Sequence, residues 1–273
     1  MPTDPCRALR RVSRYLSRWV DGQPEVGEES LTDWLLFESR RLIPNVYYRK
    51  FKRLEEGRKT GADWDWCIIG PKRSFTFRVQ AKRARRGEDF YPALVYSNRH
   101  GLQIDRLLSS AKHDNVRPLY SIYPDPIAGT PTNCCTTLKA KRRMGAFLIP
   151  AAWLYKTFVL PARQRVDVPK ILVRALPLKC LACCILATQD LEAFFRRFLD
   201  DTDDGTAAGL PADIGVTTSP PPWAQSLMSV SQAREEVPEW WDKEFRHLSD
   251  NTDALLVWDL RPERATGGQR QPV

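Results

Sequence analysis

Residues 61–83 read GADWDWCIIGPKRSFTFRVQAKR, and their interpretation decides that of the rest of the chain. Hydrophobic alternation marks two strands, about residues 64–69 and 75–80, joined by the turn-like GPKRS. Successive side chains of a strand point to opposite faces, so Phe75, Phe77 and Val79 share one side. Thr76, Arg78, Gln80 and Lys82 share the other. Asp63 and Asp65 open the first strand, whereas Gln80 and Lys82 close the second. A sheet can present these polar ends together, either as a site or as a solvated edge.

Working outward, residues 5–20 have Leu9, Val12, Leu16 and Trp19 on one helical face, with Arg7, Arg10, Arg11, Arg14 and Arg18 around them. Residues 28–42, EESLTDWLLFESRRL, predict a second helix: acids occupy its first turn, Arg40 and Arg41 its last, and Pro44 follows. GLQIDRLLSSAKHD has helical spacing and RPLYSIYP predicts a buried strand. Helix, strand, strand, helix, strand is an α/β pattern with a sheet core. The prolines of GAFLIPAAWLYKTF and KILVRALPLKCLACCILA make residues 126–199 harder to read, as a mixed α/β extension. DLEAFFRRFLD reads as a helix, residues 200–222 as a flexible Asp/Gly/Pro-rich linker, and residues 223–262 as a Trp-rich helix and a strand, ALLVWDL. That strand needs a sheet to join, so it is expected to return to the core at 25–125. The tail at 263–273 is expected to be disordered.

At 273 residues the chain can bury a sizeable core, and its composition (42% hydrophobic, 27% charged) is that of a globular protein. No apolar run reaches the ~18 residues of a membrane span, and the arginine-rich N-terminus lacks a signal-peptide core, which predicts a cytoplasmic protein with no membrane partner. The net charge of +9 is unevenly distributed. Residues 1–120 hold 24 Lys and Arg against 15 Asp and Glu, whereas residues 121–273 hold 18 of each. A localised basic surface attracts polyanions such as nucleic acid. Without signs of secretion the seven cysteines are expected as thiols. Cys134, Cys135, Cys180 and Cys183 could supply a structural Zn²⁺ site, although an adjacent Cys pair is unusual and KCLACCILA equally suits buried structural cysteines.

Phosphodiester hydrolysis needs a hard divalent cation, an activated water and charge stabilisation on the phosphate. Asp63 offers a carboxylate, Gln80 a carbonyl oxygen, and Lys82, on the face of Gln80, an ammonium to orient water or steady developing charge. A helix acid from Glu28, Glu29, Asp33 or Glu38 would complete the set.

Helix acid, GAD opening a strand, and VQAKR at 79–83 together resemble the PD-(D/E)xK, or restriction-endonuclease-like, nuclease superfamily in its QxK form. More narrowly, EESLTD, GADWDW and VQAKR are similar to an uncharacterised bacterial family with that core. The resemblance spans roughly residues 25–125. It implies a central mixed β-sheet flanked by helices, elaborated by the C-terminal half. It also implies Mg²⁺ or Mn²⁺ held by Asp63 and Gln80 with Glu29, Lys82 as the catalytic lysine, and a DNA endonuclease of bacterial defence or DNA processing. Glu28 is the neighbouring choice for the helix acid. Arg78, Arg83, Arg85 and Arg86 are expected to line a phosphate channel. A homodimer or a partner protein of a defence system fits the same picture. Gln at 80, where the commoner pattern has an acid, weakens metal binding and keeps open an inactive descendant that binds nucleic acid.

Each residue also has a structural reading. Asp63 can close a turn, Gln80 and Lys82 can guard a strand edge, and Glu29 can offset the helix dipole. A third reading is an interaction module docking through Trp153, Trp223, Trp240, Trp241 and Trp258.

Overall fold

A computed structural model describes residues 4–23, 25–51, 60–83, 97–98, 101–124, 145–161, 168–199, 208–232 and 238–261. It opens with helix α1 (Pro5–Gly22), whose first turn is capped by the Asp4 carboxylate accepting from the Arg7 amide at 2.9 Å. Helix α2 (Glu28–Leu42) stops at Ile43, which turns extended because a proline follows. Then come β1 (Val46–Lys50), β2 (Trp64–Ile69), β3 (Ser74–Arg83), the short pair β4 (Ser97–Asn98) and β5 (Gly101–Leu102), α3 (Gln103–His113) and β6 (Arg117–Tyr123). The later elements are β7 (Phe147–Pro150), α4 (Ala151–Leu154), α5 (Val168–Leu172), β8 (Leu176–Pro177), α6 (Cys180–Cys183), α7 (Ile185–Gln189), α8 (Leu191–Leu199) and β9 (Val216–Thr217). Last come α9 (Pro222–Gln232), α10 (Glu239–Glu244), α11 (Arg246–Ser249) and β10 (Ala254–Asp259).

The architecture is α/β, with one mixed sheet in the order β1-β10-β2-β3-β6-β7-β8, and β9 pairing beside β3. β10-β2 and β3-β6 are parallel and the other pairs antiparallel. As expected, ALLVWDL returns to the core, and it lands between β1 and β2. β3 runs three residues past its expected end because β6 pairs with it from Phe77 through Arg83. Of the linker expected at 200–222, residues 208–222 are docked: Gly215 O accepts the Thr76 amide at 2.7 Å, and Leu210 and Ile214 are buried. The expected tail lies outside the described residues.

Both faces of the sheet are covered. Trp64, Trp66, Phe75, Phe77 and Val79 pack against α1, α2 and α8. On the other face Tyr120, Ile122 and Ile149 pack against α3, α4 and α5, while Cys67, Leu255 and Val257 pack against α9 and α10. Trp223, Trp241 and Trp258 are buried and Trp153 is partly buried, so four of the five tryptophans suggested for docking serve the core; Trp240 is exposed. Burying an aromatic ring removes a large apolar area from water, which is why these residues fill the interior.

Helix α1 sits close to the chain before β7. Gly145 has φ +73°, and a Cβ there would lie 2.5 Å from Ser13 O, while its amide donates to Ser17 Oγ at 2.9 Å. The start of the same helix is joined to α6 by a Cys6–Cys183 disulfide, with the Cα atoms 4.7 Å apart. The expectation of thiols throughout is corrected here, because packing α1 on α6 brings together two cysteines 177 residues apart.

Candidate active site

The site lies at one end of β2, β3 and β6. Asp63 is fixed by its backbone: its amide donates to Val79 O at 2.8 Å, and its carbonyl accepts from the Asp253 amide at 2.9 Å. The β2-β3 register pairs Trp64 with Val79, which sets Asp63 opposite Gln80. The β3-β6 register pairs Gln80 with Tyr120. Asp63, Gln80 and Tyr120 therefore form a row across three strands, and facing residues of such a row meet through their side chains.

The hydrogen bonds follow this row. Asp63 Oδ2 accepts from Gln80 Nε2 and from the Ala81 amide, both at 2.6 Å. Gln80 Oε1 accepts from Gln103 Nε2 at 2.7 Å. Gln103 opens α3, and its close approach depends on Gly61: at φ +70°, a Cβ on Gly61 would lie 3.0 Å from Gln103 O. This conformation is one that glycine adopts at little cost. Gln103 Oε1 is buried without a partner among the described residues, as is the hydroxyl of Tyr120, itself 0% exposed. Burial, then the charges of Asp63, Asp105 and Glu28, push the Tyr120 phenol far above its ordinary range.

Lys82, 5% exposed, places Nζ 3.5 Å from Glu28 Oε1. Glu28 Oε2 accepts from the Arg83 amide at 3.2 Å. The N-terminal part of α2 is pinned to β6, since Thr32 Oγ1 and the Tyr123 hydroxyl are 3.0 Å apart. The helix acid facing the lysine is therefore Glu28, and the choice of Glu29 is corrected. Glu29 is exposed, one position and about 100° further round the helix.

One of the four expected phosphate contacts also needs correction. Arg78 is 1% exposed and binds Asp65 in a fork, Nε to Oδ1 at 3.0 Å and Nη2 to Oδ2 at 2.9 Å. Its Nη1 donates to Asp114 Oδ2 at 2.7 Å. Burial alone would lower the Arg78 pKa, but the two carboxylates outweigh it and raise it further. Both Arg78 and Asp65 are structural, because α3 and its following turn close the face on which their strand positions lie. Arg83 donates its Nη1 to Val26 O, tying the α1–α2 connection to β3. Arg85 and Arg86 lie outside the described residues.

Among the described residues no group of three or more His, Cys, Asp or Glu is arranged to hold a metal ion. Of the four thiols considered for zinc, Cys183 is joined to Cys6, Cys180 is buried in the core, and Cys134 and Cys135 lie outside the described residues. No described helix is long and apolar enough to cross a membrane.

Asp63 thus meets Gln80, and Lys82, two residues further along β3, faces Glu28 instead of Glu29. Gln103 and Tyr120 are additional members. Tyr120 carries no local signal, because its membership depends on the β3-β6 register, whereas Gln103 stands in GLQIDRLLSSAKHD as the polar residue that opens α3. No curated protein and no solved structure gives a significant match to the chain. A family model described as "Family of unknown function (DUF6615)" matches residues 5–254, and the chain belongs to that family.

Proposed function

We propose that the protein is a divalent-metal-dependent nuclease that hydrolyses phosphodiester bonds in DNA. In this reading it acts in the cytoplasm in bacterial defence or DNA processing, alone or with a partner protein. The observation that carries the reading is that the Asp63–Gln80 pair and the Lys82–Glu28 pair stand at the same end of β3, with Gln80 and Lys82 two residues apart on one strand face, in the order and placement of the PD-(D/E)xK pattern.

The donor set suits Mg²⁺ or Mn²⁺: two carboxylates, Asp63 and Glu28, and the Gln80 carbonyl are hard oxygen ligands. Gln80 turns its amide nitrogen to Asp63 and its oxygen to Gln103. Rotating that amide by half a turn would bring its oxygen to Asp63 and its nitrogen to the Gln103 amide, which by turning with it would present Oε1, an acceptor otherwise buried without a partner among the described residues. That orphaned acceptor supports the fit. When bound, the cation lowers the pKa of a coordinated water and draws charge from the phosphate. Lys82, buried and beside Glu28, orients the attacking water and stabilises charge on the scissile phosphate. The Tyr120 hydroxyl offers a further donor in the same row.

A second reading, a nuclease fold that binds nucleic acid without cutting it, draws on the same Gln80–Asp63 bond, which satisfies the carboxylate without a cation. Cleavage of supercoiled and single-stranded DNA with Mg²⁺ or Mn²⁺ separates the two. We expect metal-dependent cutting that Lys82→Ala abolishes while DNA binding persists. Equal cutting by both proteins would remove Lys82 from the mechanism, and binding without cutting by either would favour the second reading.

A further inference from the structure

We infer that α1 and the first half of α2 form a binding face for single-stranded nucleic acid, built from an arginine stripe and a fixed aromatic platform. The inference rests on the nucleic-acid part of the proposed function and not on cleavage.

Arg7, Arg11, Arg14 and Arg18 are spaced four, three and four residues apart, and all are exposed. At ~100° per residue this spacing keeps them within about 60° of one another on the helix, and at ~1.5 Å per residue they span roughly 16 Å. Arg10 flanks the stripe, and the helix itself contains a single acid, Asp21. A row of guanidiniums repeating once per helical turn suits successive phosphates of a strand, and each phosphate neutralised releases counterions.

The second observation is aromatic. Tyr15, beside the stripe, is 49% exposed and stacks on Trp34 of α2, with centroids 4.2 Å apart and planes at 15°. Trp19 meets both rings edge-on, at 6.1 and 6.4 Å, and its indole N–H donates to Gln23 Oε1 at 2.5 Å. An exposed tyrosine is ordinarily free to rotate, whereas this one is held by two indoles on helices that are themselves packed together. A preorganised ring beside a cationic track is how sequence-tolerant single-strand binding is built: the cations follow the backbone and the ring stacks a base. Duplex DNA keeps its bases stacked inside and cannot use the ring, so the platform favours a single strand.

The chain joins this helix to the candidate active site. α1 runs through residues 23–27 into Glu28, and Val26 O is held by Arg83 of β3.

The test is fluorescence anisotropy with labelled dT15, an abasic oligomer of equal length and a 15-base-pair duplex, in EDTA so that cleavage plays no part. We expect dT15 to bind more tightly than the abasic oligomer. Tyr15→Ala should weaken dT15 binding about 5- to 100-fold, the value of one stacked base, and change duplex binding less than about threefold. Arg11→Ala with Arg14→Ala should weaken all three ligands and flatten the salt dependence by about 0.7 per lost phosphate contact on a single strand. Both substitutions lie on exposed positions, and unchanged circular dichroism would show that the fold is intact. Equal loss of dT15 and duplex in Tyr15→Ala, or no discrimination against the abasic oligomer, would overturn the stacking face. Absence of oligonucleotide binding by the wild type would overturn the whole inference, including where the face instead captures a protein. Binding that persists in Lys82→Ala keeps this result separate from the fate of the nuclease reading.

Discussion

Replacing Arg78 by methionine keeps most of the side-chain volume and removes the charge. The guanidinium is 1% exposed and makes two bonds to Asp65, at 3.0 and 2.9 Å, and a third to Asp114 at 2.7 Å. Without it the Asp65 carboxylate, 2% exposed, remains in the interior with no counter-charge. Breaking a buried pair in this way costs about 3–5 kcal/mol. For a chain of this size that is roughly 6–20 °C in Tm. Asp114 retains solvent on one side and suffers less. Replacing both partners, Asp65→Leu with Arg78→Met, should recover most of the loss, since well-packed apolar residues often substitute for a buried pair. Urea unfolding followed by tryptophan fluorescence at pH 7 measures all three proteins, and nine tryptophans provide the signal. A single variant that loses less than about 1 kcal/mol, or a double variant no better than the single one, would refute the reasoning. So would a selective loss of DNA affinity in Arg78→Met with stability unchanged, because that would return Arg78 to the phosphate channel.

Glu28→Gln should weaken Mn²⁺ binding by calorimetry roughly tenfold or more, while Glu29→Gln leaves it within about twofold; the reverse ranking would restore the other helix phase. Asp114 is expected to govern acid stability. Burial alone would raise its pKa, but hydrogen bonds from His113 and Arg78 outweigh that and hold it below 3.8. Its contribution is therefore complete above the ordinary carboxylate range and lost as pH falls through the folded value. The stability gap between wild type and Asp114→Asn should be flat at neutral pH and close below about pH 4, as denaturant titrations at several pH values would show. Reducing the Cys6–Cys183 bond, which closes a loop spanning 177 residues of separation, should cost about 2–4 kcal/mol, and Cys6→Ser should show no further sensitivity to reductant.

Local signals were enough for elements whose stability is local in origin. Acids, arginines and Pro44 delimited α2 at its observed bounds, and alternation delimited β2. The five residues of β1 carry too short a pattern to declare themselves, and their pairing partner lies some two hundred residues away in β10. The Glu28–Glu29 ambiguity is one of helical phase, where a single residue rotates a side chain by ~100°. Arg78 was misplaced because alternation tells which face a residue occupies and not whether that face is covered. α3 and its following turn cover it, and a charge that reads as a surface group became the buried partner of Asp65. The pairing of Asp63 with Gln80 was legible from strand ends alone. Tyr120 required the parallel register of β6, which no local pattern encodes.

The place of β10 has a consequence for synthesis. Residues 254–259 are inserted between β1 and β2 and run parallel to β2. Until they leave the ribosome, β2 has an open edge where Asp63 begins, and the bond from the Asp253 amide to the Asp63 carbonyl cannot form. From Ile69 to Asp259 the ribosome must add 190 residues (259 − 69), which takes roughly 10–40 s at 5–20 residues per second. During that interval the nascent chain carries an apolar strand open along one edge, a hazard for edge-to-edge association and a natural client surface for chaperones. The same delay means that the candidate active site is completed only once β10 has been made, so a polypeptide truncated before residue 253 would not carry it in finished form.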